Sequence, residues 1–171
     1  MPASSVFEAR SGGNLRWPGG RARCVFGRNG AIEASDKREG DGATPLGVWP
    51  MRRVYYRAER LLAPPTRLPV QSLDPHSGWC DDPGDPSYNR LIALPFTLSH
   101  EKLWRADGLY DLIVALGYND APVVAGRGSA IFLHVAQPAW SPTEGCVATD
   151  LAALHALIGQ ATPGDCLAIV R

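Results

Sequence analysis

Residues 134–149 read HVAQPAWSPTEGCVAT. His134 ends an apolar run, SAIFLH, and Cys146 sits inside Thr-Glu-Gly-Cys-Val, with eleven residues between the two. A thiol attacks carbonyl carbon as thiolate, and a neighbouring imidazole is the usual means of making one. The run before His134 has the continuous hydrophobicity of a buried strand. After Cys146, Thr149 stands where a helix N-cap belongs, ahead of DLAALHALIGQA. Leu151, Leu154, Leu157 and Ile158 share one face of that helix, and Gly159 and Pro163 mark its end. The stretch therefore predicts strand, loop, cysteine, helix, with the positive end of the helix dipole favouring a thiolate. Gly145, free of a Cβ, lets a substrate approach the backbone, where the amides of Gly145 and Cys146 are candidate oxyanion donors.

Outward from this segment the text is mostly β. VFEAR, LRW and RARCVF are short strands broken by SGGN and PGG turns. GVWPMRRVYYRAE reads as a longer strand whose Pro50 belongs at an edge or a bulge. YDLIVALGYN, 110–119, and GSAIFLHVA, 128–136, read as buried strands, and CLAIV closes the chain as another. A helix is expected around SHEKLWRAD, opening near His100. Six prolines fall between Pro64 and Pro86. The segment 60–100 is expected to be an ordered excursion over the sheet, anchored by Trp79, Tyr88 and Leu91 and suited to a binding wall or lid.

Seventeen basic residues balance seventeen acidic ones, so no basic face is expected and nucleic acid is a poor partner. No apolar run approaches the length of a membrane span, and MPASSVFEARSGGNLRW lacks the core of a signal peptide. The expected location is cytoplasmic, or periplasmic if a leader has been removed. The four cysteines form no CxxC pair; Cys24 and Cys166 lie in strand-like text as buried free thiols. His76 and Cys80 beside Asp81 and Asp82 make a thin ligand set, so no metal and no cofactor is expected. His155 is read as a core or boundary residue of the helix.

IFLHVAQPAWSPTEGCVAT resembles the signature of the L,D-transpeptidase catalytic-domain (YkuD-type) family: a His, a variable loop, then Ser/Thr-x-Gly-Cys-Ile/Val. KREGDGATPLGVWPM (37–51), WCDDPGDPSYNR (79–90) and SHEKLWRADGLYDLIVALGYND (99–120) fit a small single-domain branch of it. The resemblance implies one catalytic domain over 1–171, with its motif-bearing core at about 37–171. It implies a β-rich α+β fold, a sandwich or barrel with a helix after the catalytic cysteine. It implies cleavage of the bond between diaminopimelate and D-Ala in peptidoglycan stem peptides through a thioester. Cys146 matches the nucleophile, His134 the base, and Gly145 the oxyanion region. Water as acceptor makes an L,D-carboxypeptidase, expected here in muropeptide recycling for want of an export signal. An amine as acceptor makes a crosslink.

Three positions depart from the family pattern. Val135 replaces a common Gly after the histidine and can still orient the ring through its carbonyl. Glu144 replaces a common His, and Ala148 a common Arg or Asn. Glu144 either raises the thiol pKa or meets the ammonium of a diaminopimelate side chain. Thr143, Trp140, Arg105 and Tyr118 complete the candidate substrate contacts, with Arg105 or Arg127 as a carboxylate clamp and Trp79, Trp104 and Trp140 as groove walls. The partner is a stem peptide or muropeptide; no motif addresses oligomeric state. Two other readings use the same centre: a silent peptide-binding module, and a cysteine amidase of unrelated substrate.

Overall fold

A computed structural model describes residues 6–171; the first five residues of the N-terminal stretch read above lie outside it. The strands in chain order are β1 Phe7–Arg10, β2 Asn14–Trp17, β3 Gly20–Val25, β4 Ala31–Ile32, β5 Thr44–Pro45, β6 Gly47–Arg57, β7 Val70–Leu73, β8 Ser77–Cys80, β9 Leu91–Ala93, β10 His100–Lys102, β11 Leu112–Leu116, β12 Phe132–Val135, β13 Val147–Thr149 and β14 Cys166–Val170. The helix α1, Leu151–Gln160, stands between β13 and β14. The fold is mainly β, as the sequence predicts.

One sheet runs β11-β12-β13-β3-β2-β1-β14-β6-β7, and a further pairing of β11 with β6 closes it into a barrel. Closure depends on the length of β6. Its first residues, Gly47–Pro50, pair with β14, whereas 51–56 pair with β11. Pro50 therefore sits in an interior strand, not at an edge. It stands just past the last β6–β11 pair, Met51 with Leu116, where its carbonyl still accepts from the Gly117 amide at 2.8 Å, and a bulge at Arg52 lies two residues further along the strand. The N-terminal hairpins are integral to the barrel, since β1 pairs with β14 and β3 with β13. The core is thus wider than the motif-bearing 37–171.

Alternation along the strands divides the interior in two. Leu133 and Val147 point to the face that carries Leu112, Val114, Phe7, Leu15, Leu167 and Ile169, where Leu154, Leu157 and Ile158 of α1 pack. These helix side chains are fully buried, each contributing about 1.5–3 kcal/mol of burial free energy. Phe132 and Cys146 point the other way, toward Ile113, Tyr55 and Tyr110. Both faces of β11 are covered, which accounts for its continuous apolar run.

Two local expectations are corrected. The N-cap of α1 is Asp150, whose carboxylate accepts from the Ala153 amide at 2.8 Å. Thr149 instead ends β13, and its hydroxyl donates to the Arg23 carbonyl at 2.7 Å. SHEKLW forms no helix: His100–Lys102 pairs with β8 in a small β10-β8-β9 sheet, because the tertiary partner supplies backbone hydrogen bonds that a short, uncapped helix lacks. This small sheet belongs to the proline-rich excursion. His155 is half-buried on α1. Among the described residues no helix is long and apolar enough to cross a membrane.

Candidate active site

β12 and β13 run parallel, with His134 opposite Ala148 and Leu133 opposite Val147. Residues two apart on a strand share a face. The register therefore sets Phe132, His134, Cys146 and Ala148 on one side of the sheet, with Cys146 diagonal to His134. Both catalytic candidates line one cavity of about 400 Å³, together with Lys37, Glu39, Asp81, Glu101, Arg105, Tyr110 and Ser129–Ile131.

The thiol is held from the β12 side. Cys146 Sγ donates to the Ala130 carbonyl at 3.1 Å and accepts from the Phe132 amide at 3.3 Å. Ala130 has φ +53°, a left-handed conformation that an L side chain adopts at a cost of roughly 1–2 kcal/mol. Asn89 holds it there: its Oδ1 accepts from the Ala130 amide at 3.0 Å and from Trp79 Nε1 at 3.0 Å. Its Nδ2 donates to the carbonyls of Tyr118 and Asn119. The excursion is thus bolted to the thiol's acceptor through one buried amide side chain. The regular part of the expected strand 128–136 begins only at Phe132, because 128–131 takes this bent path.

His134 Nδ1 lies 2.9 Å from the Val135 carbonyl. A carbonyl only accepts, so Nδ1 carries the proton and Nε2 is the basic nitrogen of the neutral ring. Tyr110 packs edge-on against the imidazole, with centroids 5.2 Å apart at 84°, and its hydroxyl donates to Glu101 at 2.5 Å. Burial pushes the imidazole pKa down to about 4. Burial, reinforced by the Glu101 charge, pushes the Cys146 thiol up to about 12. At neutral pH the resting pair is therefore thiol and neutral imidazole, not an ion pair. The helix dipole does not alter this: β13 intervenes between Cys146 and α1, and Asp150 occupies the helix N-terminus.

The loop before Cys146 is fitted with little room. Gly145 has φ +140°, and a Cβ there would stand 3.0 Å from the Ala43 carbonyl oxygen. Gly27 is tighter, since a Cβ would meet the Gly42 carbonyl oxygen at 2.3 Å. The Gly145 amide donates to Thr143 Oγ1 at 3.1 Å, so it is not a free oxyanion donor in this state. Thr143 Oγ1 in turn donates to the Cys146 carbonyl at 2.7 Å. The KREGD segment braces the opposite wall. Buried Lys37 donates to Asp41 at 2.5 Å, and Glu39 accepts from Tyr88 and from Ser129 Oγ at 2.8 Å.

Several expected contacts are elsewhere. Glu144 is at the rim, its side chain 80% exposed and 3.1 Å from Arg28, too solvated to govern the thiol. Tyr118 is a core residue, edge-on to Trp49, with its hydroxyl on the Arg127 carbonyl. Trp79 packs on Phe132, Trp104 under Arg57, and Trp140 beside Arg23; none of the three lines the cavity, because each ring is taken up by a neighbour. Arg127 is outside it too. Arg105 lines it, paired with Asp107 at 2.5 Å. His76 contacts the Leu94 carbonyl at 3.1 Å, and among the described residues no group of three or more His, Cys, Asp or Glu gathers as a metal site. Asn89, Ala130, Tyr110, Glu101 and Gly27 escaped sequence reasoning. WCDDPGDPSYNR was the only signal for Asn89, and it gives no register.

The family model for the L,D-transpeptidase catalytic domain, YkuD, matches residues 4–170. No curated protein and no solved structure matches the chain.

Proposed function

Since the chain belongs to the L,D-transpeptidase catalytic-domain family and thus to the cysteine acyltransferases of peptidoglycan, we propose that Cys146 and His134 cleave the bond between diaminopimelate and D-Ala of a stem peptide. The single observation that carries this reading is the β12–β13 register, which turns both side chains into one cavity. The thiol leaves the Ala130 carbonyl, and Sγ attacks the scissile carbonyl carbon as its proton passes to His134 Nε2. Breaking the C–N bond returns that proton to the departing D-Ala amine and leaves a thioester on Cys146. With the Gly145 amide taken by Thr143, the Cys146 amide is the candidate backbone donor for the oxyanion. The Val135 carbonyl keeps the ring in the tautomer the transfer needs.

Holding both partners neutral suits this sequence of steps. Charge develops only during the attack, where the Lys37 ammonium, itself on the cavity wall, favours the sulfur anion. Water entering the cavity resolves the thioester to tripeptide, the L,D-carboxypeptidase outcome; an amine resolves it to a crosslink.

Incubating the protein with a defined tetrapeptide tests this. Release of D-Ala and a transient mass increase on Cys146 are expected, both absent in Cys146→Ser. D-Ala release that survives Cys146→Ser eliminates the mechanism. Tripeptide as the main product supports hydrolysis, and dimers alone overturn it.

A further inference from the structure

The outer face of the N-terminal hairpin concentrates positive charge in a chain whose formal charges cancel. The β2–β3 register sets Arg16 directly opposite Arg21 and Asn14 opposite Arg23. Alternation places Arg16, Arg21 and Arg23 on one exposed face. Like charges directly across an antiparallel pair oppose sheet formation. Among the described residues no carboxylate forms an ion pair with any of the three, and Glu8, across from Arg16, is engaged by Arg10 at 2.7 Å.

Beside this face lies a groove of about 900 Å³, lined by Ser11, Asn14, Arg21, Arg23, Arg28 and Pro142. The Arg23 guanidinium stacks 4.6 Å from the centre of the Trp140 ring, which orders it without neutralising it. The groove shares a wall with the catalytic cavity, because Pro142 lines both. Next to it, the Thr143 amide donates to Phe26 and the Thr143 carbonyl accepts from Arg28, while its hydroxyl reaches the Cys146 carbonyl at 2.7 Å.

Guanidinium forks unsatisfied within the chain match carboxylates from outside it. We propose that this groove seats a carboxylate-bearing peptide as the acyl acceptor, presenting its amine past Pro142 to the thioester on Cys146. The thioester rests on the function proposed above; the docking does not. The amine nitrogen attacks the thioester carbonyl, a C–N bond forms, the C–S bond breaks, and the amine proton returns to the sulfur by way of His134. Water and this peptide then compete for one intermediate, and occupancy of the groove sets the ratio.

The test uses the intact protein and the tripeptide L-Ala-γ-D-Glu-diaminopimelate, which has carboxylates and an amine but no D-Ala to surrender. Binding read by tryptophan fluorescence is expected to weaken at least fivefold in Arg21→Gln/Arg23→Gln, and at least fivefold for the wild type when the peptide carboxylates are carboxamides. Since both arginines are exposed, the melting temperature of the variant should hold or rise. With a tetrapeptide donor, the variant should release D-Ala at the wild-type rate while its ratio of dimer to tripeptide falls. Equal affinity in the variant, equal affinity for the carboxamide, or displacement by tripolyphosphate at the same concentration as by the peptide overturns the proposal. Absence of D-Ala release from the wild type rejects the cysteine mechanism alone, and the binding arm still decides the groove.

Discussion

On the inner side of Pro142 and Thr143, charge is suppressed: His134 and Cys146 are buried, and both are neutral at pH 7. On the outer side, Arg21 and Arg23 stand exposed, and among the described residues no carboxylate forms an ion pair with either. One short segment separates a site where desolvation holds a reactive pair quiet from a groove where solvent keeps like charges tolerable. Burial raises the free energy of an ion steeply, whereas exposure screens it within about 10 Å. Proximity to the catalytic loop alone does not decide a group's protonation state. Depth does.

The steepest way to break this contrast is thiol chemistry. With its pKa pushed up to about 12, Cys146 should hold a thiolate fraction on the order of 10⁻⁵ at pH 7. Alkylation by iodoacetamide followed by mass spectrometry should therefore be slow at pH 7 and accelerate continuously toward pH 11. Fast, pH-independent labelling at neutrality sinks the inner half of the comparison. His134→Gln should lower the rate of D-Ala release on the order of 10²–10⁴-fold with intact folding by circular dichroism.

Asn89→Ala removes the amide that meets the Ala130 amide and the Trp79 indole together. A loss of about 3 kcal/mol in urea unfolding is expected, and the thiol should label faster as the Ala130 segment loosens. The pH dependence of stability has a definite sign. The folded imidazole titrates near 4, below the ordinary value of 6.5, so the unfolded chain takes up the proton first. Up to about 3 kcal/mol of stability is present above pH 6.5 and lost as pH falls toward 4. Urea titrations of wild type and His134→Gln should separate that contribution. Last and smallest, Glu144→Gln should change stability by less than about 1 kcal/mol and leave the pH profile of Cys146 labelling unmoved. A shifted profile would return Glu144 to the inner site.

Much of this was legible in the sequence because it is local. Apolar runs around Ile113 and Leu133 announce strands covered on both sides, the 3.6-residue spacing of Leu154, Leu157 and Ile158 announces α1, and the family motif picks out His134 and Cys146. Errors arose where two local solutions were close in free energy. Thr149 and Asp150 are both good caps, and the strand partner of Thr149 decided between them. SHEKLW has the composition of a first helical turn, and pairing with β8 overrode it. Glu144, two positions before Cys146, is the acidic residue the sequence puts nearest the thiol, whereas the structure puts Glu101, forty-five positions before it, inside the cavity.

By itself the sequence determined the β-rich class and the helix α1, since periodicity is a property of neighbours along the chain, and its family motif singled out His134 and Cys146 as the candidate pair. Only the tertiary structure decided that Asn89 supports Ala130, that Tyr110 and Glu101 stand behind His134, and that three arginines face outward beside the same loop. Those arrangements depend on barrel closure and strand register, which bring together segments whose separation along the chain carries no trace of their meeting.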